Sequence, residues 1–501
     1  MNKKLYMAGF GKTNKFNKRP LTHLKKKYDE NEILNKAINF HHKGNISEAN
    51  KLYKFLIEQG SINSTIFTNY GLTLVNFGKL KDAEVFIRKA IKLNPKDSIA
   101  HYNLGIILKN LGKLDESELS YRKAIEIKPD YAEAHYNLGN LLSNLGKLDE
   151  SKLSYLKVIE LNPNFIKAYY SLSLLKYSEE DKTLKNKLFS QSILNQKSKE
   201  DQINIYFARA NILHKEKNYS DSSKFLKLAN QLKLDLQPSN SAALINKSKD
   251  LLIESLNQEI NQDKYTESQD SIFIVGMPRS GSTLLESILG MNTEVYNLGE
   301  SKILEDSYID YKKNNQGLNL TDIYWKKSKN YENNTKKTTN KNLYNYLYTG
   351  IIASQITNSK IIHCFRHPLD NILSIYRANF AEGNQYSSSL IDCTKVYLNQ
   401  EEIMQKYKNK FKSKIYNLNY DLLVCNPKEE IKSLISWLGW KWTDGYLSPH
   451  LNPRTVFSAS KVQVRSPINS HSLGGWKYYK NLLKPSLDIL SQTERYRDLL
   501  S

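Results

Sequence analysis

Residues 272–289 read IFIVGMPRSGSTLLESIL. The first five form an unbroken apolar run with β-branched side chains, the pattern of a strand buried on both faces. LLESIL, 284–289, returns to helical spacing, and between the two lies Gly276-Met-Pro-Arg-Ser-Gly-Ser-Thr283. Strand, glycine-bounded loop and helix make an anion cradle: backbone N–H groups of 279–284 converge on one phosphate-sized group, and the helix dipole adds partial positive charge. The spacing G-x-x-x-x-G-[ST]-T nearly repeats the nucleoside-triphosphate P-loop, but that motif needs Lys where this chain has Ser282. Without it a γ-phosphate and its magnesium lose their main cationic clamp, which disfavours a triphosphate kinase. Arg279 offers a planar fork inside the loop instead.

A second strand-to-helix turn lies further along. KIIHCF, 360–365, is another apolar strand, and Arg366-His-Pro-Leu-Asp-Asn-Ile-Leu-Ser374 turns into a helix with Pro368 in its first turn. Arg366 leaves the strand end and Ser374 lies eight residues on, about two helical turns away. Both then reach one dianion over the carboxyl edge of a parallel sheet, where open α/β sheets bind ligands.

The first half is built differently. HYNLGIILKNLGKLDESELSYRKAIEIKPD, from His101, superposes on HYNLGNLLSNLGKLDESKLSYLKVIELNPN, from His135, at an offset of 34. The offset carries back to Gly71, Gly78 and Pro95 and, with decay, to Gly44. A fixed 34-residue period marks tetratricopeptide (TPR) repeats, each a pair of antiparallel helices. Small residues (Gly71, Gly105, Gly139; Ala83, Ser117, Ser151) stand where helices approach closely. Ile87, Tyr121 and Tyr155 are expected to fill the space between successive units, and Pro95, Pro129 and Pro163 to end each second helix. Residues 206–234 read as a degenerate repeat closing the array. The organisation expected is a basic mobile tail over 1–28, a helical-repeat array over 29–236, a linker and helix over 237–270 including the polar QDKYTESQD, and an α/β domain over 271–501. In fold class this is an α-solenoid followed by a P-loop-like α/β domain with a central parallel sheet.

Composition narrows the partners. A formal charge of +22 favours anionic ligands, yet the surplus is mostly Lys scattered among Asn, and no nucleic-acid module is visible. Cys364, Cys393 and Cys425 form no C-x-x-C pair, against a disulfide framework or a thiolate zinc site. The basic start lacks the apolar core of a secretion signal, and no run of about 18 apolar residues spans a membrane, so the expected compartment is cytoplasmic.

VGMPRSGSTLLESIL resembles the 5'-phosphosulfate-binding loop of sulfotransferases. The order of repeats, degenerate repeat and loop resembles the bacterial TPR sulfotransferases, whose catalytic domain is akin to the tyrosylprotein sulfotransferases. The resemblance, from about residue 30 to the end, implies 3'-phosphoadenosine 5'-phosphosulfate (PAPS) as co-substrate, 3',5'-adenosine bisphosphate as product, no metal, and an acceptor hydroxyl, protein tyrosine among the candidates. By it Arg279, Ser280, Gly281, Ser282 and Thr283 hold the 5'-phosphosulfate, and Arg366 and Ser374 hold the 3'-phosphate. Tyr420 lies near the cofactor, and Trp476 and Lys477 of SLGGWKYY cover it, although Gly475 stands where an Arg is common. Gly299-Glu300, 21 residues after Arg279, matches the pair that supplies the general base; His363 and His367 are the rivals, with a core role favoured for His363. Lys341 aligns with the catalytic lysine, with Leu343 in place of the usual Pro and Lys336 and Lys337 close by. Ser460, with Ser458 as neighbour, aligns with a serine that contacts the sulfuryl group, and Arg465 is a further cation on the cofactor or acceptor side. The repeats suit an acceptor peptide or protein. A scaffold carrying an inactive transferase domain is the alternative, motivated by Gly475 and Leu343.

Overall fold

The computed structural model describes residues 28–175, 182–257, 270–313, 319–328, 337–380, 383–452, 454–456, 458 and 460–500. Residues 1–27 of the tail expected over 1–28, most of the polar linker, and Lys336 lie outside the described residues. Contacts divide the chain into two compact units, one running to Ala168 and the other from Tyr169 onward together with the Asn144–Gly146 turn.

The first unit is a series of helix pairs: Glu30–His42 with Ile46–Glu58, Ser64–Asn76 with Leu80–Leu93, Ser98–Asn110 with Leu114–Ile127, and Ala132–Leu145 with Leu148–Leu161. The repeated glycines explain why each pair closes. A Cβ on Gly105 would lie 2.6 Å from the Tyr121 ring, and one on Gly139 would lie 2.7 Å from Tyr155. Ile87, Tyr121 and Tyr155 therefore pack onto the glycine of their own repeat, and Ile87 shares one buried core with Leu104, Ile107 and Leu108 of the next. Ser117 and Ser151 lock the same crossing by donating to the carbonyls of Gly105 and Gly139, 2.7 Å each. Successive repeats are tied by a ladder of ion pairs. Glu84 accepts from Lys113 of the next repeat and from Arg88, and Glu118 does the same with Lys147 and Arg122. Each second helix stops two residues before Pro95, Pro129 or Pro163, as the residue ahead of proline is barred from the helix.

The second unit holds five strands: β1 (Asp270–Gly276), β2 (Val295–Asn297), β3 (Lys337–Asn340), β4 (Ser359–Phe365) and β5 (Ile415–Asn419). They form one parallel sheet in the order β2-β3-β1-β4-β5. Both faces are covered. Phe273, Val275 and Ile361 join one core with Tyr324 and Tyr346, while Ile272, Ile274 and Ile362 join another with Leu285, Ile288 and Leu434. That two-sided burial is why β1 and β4 read as continuous apolar runs. From β1 the chain builds β2 and β3 on one side, then crosses to build β4 and β5 on the other. The carboxyl ends of β1 and β4 are adjacent in register, Gly276 beside Cys364, which puts a topological switch point between them. Helices Lys199–Lys215, Tyr219–Leu236 and Ser241–Leu256 belong to this unit as well. Among the described residues no helix is long and apolar enough to cross a membrane.

Candidate functional site

The loop after β1 turns on two positions that only glycine satisfies. Gly276 has φ +144° and a Cβ there would fall 2.2 Å from the Cys364 carbonyl oxygen; Gly281 has φ +96° and a Cβ would fall 2.2 Å from the Tyr420 ring. Arg279 itself adopts φ +67°, a conformation costly for a side-chain-bearing residue and commonest at functional sites. Helix Ser282–Leu289 begins at Gly281 with no side-chain cap, so its first N–H groups remain free for an anion. The Ser280 hydroxyl beside them is buried without a hydrogen-bond partner among the described residues.

Arg279 joins the distant parts of the site. Its Nε donates to Ser374 Oγ at 3.1 Å, Nη2 to Gln463 Oε1 at 3.1 Å, and Nη1 to Ser460 Oγ. Burial, then the charges of Arg366 and Arg377, push its pKa down to about 10, which leaves it cationic at neutral pH. Thr283 donates to Ser458 at 3.2 Å. Arg279, Ser282, Thr283, Glu300, Ser458 and Ser460 line one cleft, as do Leu343, Tyr344 and Phe380.

At the end of β4, helix Pro368–Tyr376 starts with proline as the sequence indicates. Arg366 is buried under the Tyr420 ring, 4.8 Å away, with Nη2 donating to the Ser472 carbonyl at 2.9 Å. Asp370 and Asp421 each stand 3.9 Å from the guanidinium, and its Nε keeps no hydrogen-bond partner among the described residues. Tyr420 thus touches both loops, at Gly281 and at Arg366. Asn371 fastens the second helix to the first loop by donating to the Pro278 carbonyl at 2.9 Å. Asp370 accepts from the backbone N–H groups of Gly474 and Trp476, and Trp476 stacks on His367 at 5.5 Å. Lys477 is exposed, its charge reaching His367.

Lys341 directly follows β3 and is 2% exposed, its Nζ 2.8 Å from Glu300 Oε1 and 3.7 Å from Glu286 Oε2. Burial lowers its pKa, but the Glu286 and Glu300 carboxylates outweigh burial and hold it above the ordinary lysine value. Its ammonium points at carboxylates and is not part of the cleft wall. The other candidates lie elsewhere. His363 is fully buried, in contact with Gln400 at 2.7 Å, and burial keeps it neutral. Burial also lowers the His367 pKa. Lys337 pairs with Glu294, and Arg465 donates to the carbonyls of Asn452 and Arg454. Sequence reasoning missed Glu286, Asp370, Asp421 and Gln463. For two of them a signal was present: Glu286 interrupts the apolar face of LLESIL, and Asp370 lies one helical turn after Arg366. Among the described residues there is no group of three His, Cys, Asp or Glu placed to hold a metal.

A sequence profile described as "Sulfotransferase family" matches residues 271–444, and tetratricopeptide-repeat profiles match 64–97, 86–118, 107–146 and 132–165. An uncharacterized protein of Aquifex aeolicus (strain VF5) is 29% identical over 248 residues, which is 45% of this chain and only 33% of that relative's length. A putative protein-tyrosine sulfotransferase of Caenorhabditis briggsae is 27% identical over 232 residues, 41% of this chain and 80% of the relative. Among solved structures, the sulfotransferase domain from the Synechococcus PCC 7002 olefin synthase is 15% identical, with 46% of this chain and 97% of that one covered and a TM-score of 0.34. The switch point between β1 and β4 therefore lies within the segment that matches the sulfotransferase family, and the segments that match tetratricopeptide repeats precede it in the chain.

Proposed function

We propose that this chain moves a sulfuryl group from PAPS to an acceptor hydroxyl, with Glu300 as general base. The observation that carries the reading is the Arg279 junction: one guanidinium bonds Ser374 of the second loop and Ser460, in a cleft that also holds Glu300. The residues present fit such a nucleotide. An uncapped helix end, the Ser280 hydroxyl and the Arg366 Nε are donors without acceptors among the described residues, as a site for a molecule anionic at both ends requires. Ser280 to Thr283 take the 5'-phosphosulfate, Arg366 and Ser374 the 3'-phosphate, and Tyr420, Trp476 and Lys477 flank the nucleotide.

When bound, PAPS supplies the sulfuryl group and its phosphate leaving group. Glu300, half-exposed at the cleft, accepts the acceptor's proton while the acceptor oxygen bonds to sulfur and the bond from sulfur to the phosphate oxygen breaks. Arg279 and Ser460 face the charge that develops there, while Lys341, the catalytic lysine that the resemblance implies, acts from behind Glu300, whose carboxylate it holds at 2.8 Å. The helical repeats hold the acceptor, a peptide or protein.

Titrating the full chain with 3',5'-adenosine bisphosphate and with ATP–magnesium tests the reading. Preference for the bisphosphate is the expected result, and preference for ATP removes it. Glu300→Gln should leave bisphosphate affinity intact and cut transfer from labelled PAPS into cell-extract acceptors by roughly 10²-fold or more. Tight bisphosphate binding without transfer to any acceptor would favour an inactive scaffold, a reading to which the burial of Lys341 beneath two carboxylates lends support.

A further inference from the structure

Two carboxylates share one ammonium beside the cleft. Glu286 belongs to helix Ser282–Leu289, three residues after Thr283, so it lies on the helix face that carries the anion-binding hydroxyl. Its side chain is 12% exposed, its Oε2 is 3.7 Å from Lys341 Nζ, and its Oε1 is buried with no hydrogen-bond partner among the described residues. Glu300 reaches the same Nζ from the other side, at 2.8 Å. We propose that Glu286 is a positioning residue for the transfer: it is the second counter-ion of Lys341 and sets how readily Glu300 takes up a proton.

The argument is one of charge. Lys341 is 2% exposed and has no water to turn to. If Glu300 were its sole partner, taking the acceptor's proton would leave a buried, uncompensated cation, which costs several kcal/mol. Glu286 removes that penalty, because the ammonium keeps a carboxylate when Glu300 becomes neutral. A negative charge at Glu286 also favours protonation of Glu300 directly, as a like charge does. The coupling acts in reverse on Glu286, whose carboxyl is raised by burial first, lowered by Lys341 and raised again by Glu300. Other groups face the cluster: Arg454, whose own pKa burial lowers against Glu286 and Tyr296, lowers Glu286, and the buried Cys364 thiol, pushed up by burial, lies near Lys341. None of these supplies a second carboxylate to Lys341.

The inference rests on the reading of Glu300 as base, but its test does not. In full-length protein with ¹³Cδ-labelled glutamate, the Glu300 resonance is identified by its loss in Glu300→Gln, and its titration midpoint is measured by NMR. In Glu286→Gln the midpoint should fall by about half a pH unit or more, since a nearby negative charge is removed while Lys341 stays. A purely structural role for Glu286 would lower stability without moving this midpoint, and an unchanged midpoint overturns the proposal. Should Glu286→Gln not fold, the reciprocal measurement reads the same coupling: Glu286 should titrate lower in Glu300→Gln, a change at a side chain 53% exposed, and a constant Glu286 midpoint overturns the proposal equally. If the midpoints move while Glu300→Gln transfers sulfuryl groups at the parent rate, the base assignment fails and the coupling stands.

Discussion

At the scale of single residues the site is built from cations whose companions come from far along the chain. Arg366 illustrates the balance: Asp370 and Asp421 compensate its charge at 3.9 Å, too far for hydrogen bonds, and Nε stays available. Arg366→Lys keeps that compensation and loses the planar fork and the contact over Tyr420. It should weaken 3',5'-adenosine bisphosphate binding roughly tenfold by calorimetry, about 1.5 kcal/mol, with the melting temperature little changed. An unchanged Kd would remove Arg366 from the site. Much of this was legible. Arg279, Ser374 and Ser460 stand out in the sequence, by motif or by resemblance, and they meet in space. Glu286 showed only as a break in the apolar face of LLESIL and Asp421 not at all, because the role of a buried carboxylate is legible only beside its cation, and Lys341 is 55 residues from Glu286 in the chain.

At the scale of elements the two halves use different adhesives. Sheet and helices of the second unit are joined by apolar cores on both faces, whereas successive repeats add the Glu84 and Glu118 ion pairs. Burial would raise those two carboxyls, but Lys113 with Arg88, and Lys147 with Arg122, together hold them below the ordinary value. A depressed carboxyl stabilises the folded state above its unfolded pKa, about 4.3, and loses that contribution as pH falls through the folded value. Glu118→Gln should therefore cost about 1–2 kcal/mol at pH 7 in urea denaturation, and the difference from the parent should shrink as pH drops below about 4. An equal deficit at pH 7 and pH 3 would mean that packing, and not charge, ties the repeats.

At the scale of the whole molecule, the segment over the Arg366 loop is held at two ends. Asp370 grips the backbone of Gly474 and Trp476, while Tyr479 is buried against helices Lys199–Lys215 and Tyr219–Leu236. Its hydroxyl meets His214 Nδ1 at 2.9 Å and Ser222 Oγ at 3.0 Å. Burial drives the His214 pKa down to about 3, so this is a neutral contact across the physiological range. Tyr479→Phe leaves two buried polar groups without it and should cost about 1–2 kcal/mol of stability. Bisphosphate affinity should fall a few-fold, because the segment over the Arg366 loop loses one anchor. Equal affinity would show that Asp370 suffices alone.

The sequence by itself determined the local units: the 34-residue helix pairs, the two strand-loop-helix turns, and the glycines that those turns and crossings demand. Period, propensity and steric exclusion act over a few residues or repeat identically, so they are readable in order along the chain. Only the tertiary structure decided which strands became neighbours, that Arg279 would bond Ser374 and Ser460, and that Lys341 would lie between Glu286 and Glu300. Those outcomes depend on how buried faces and buried charges are matched across 41 to 181 residues of chain, and no local pattern encodes a partner at that distance.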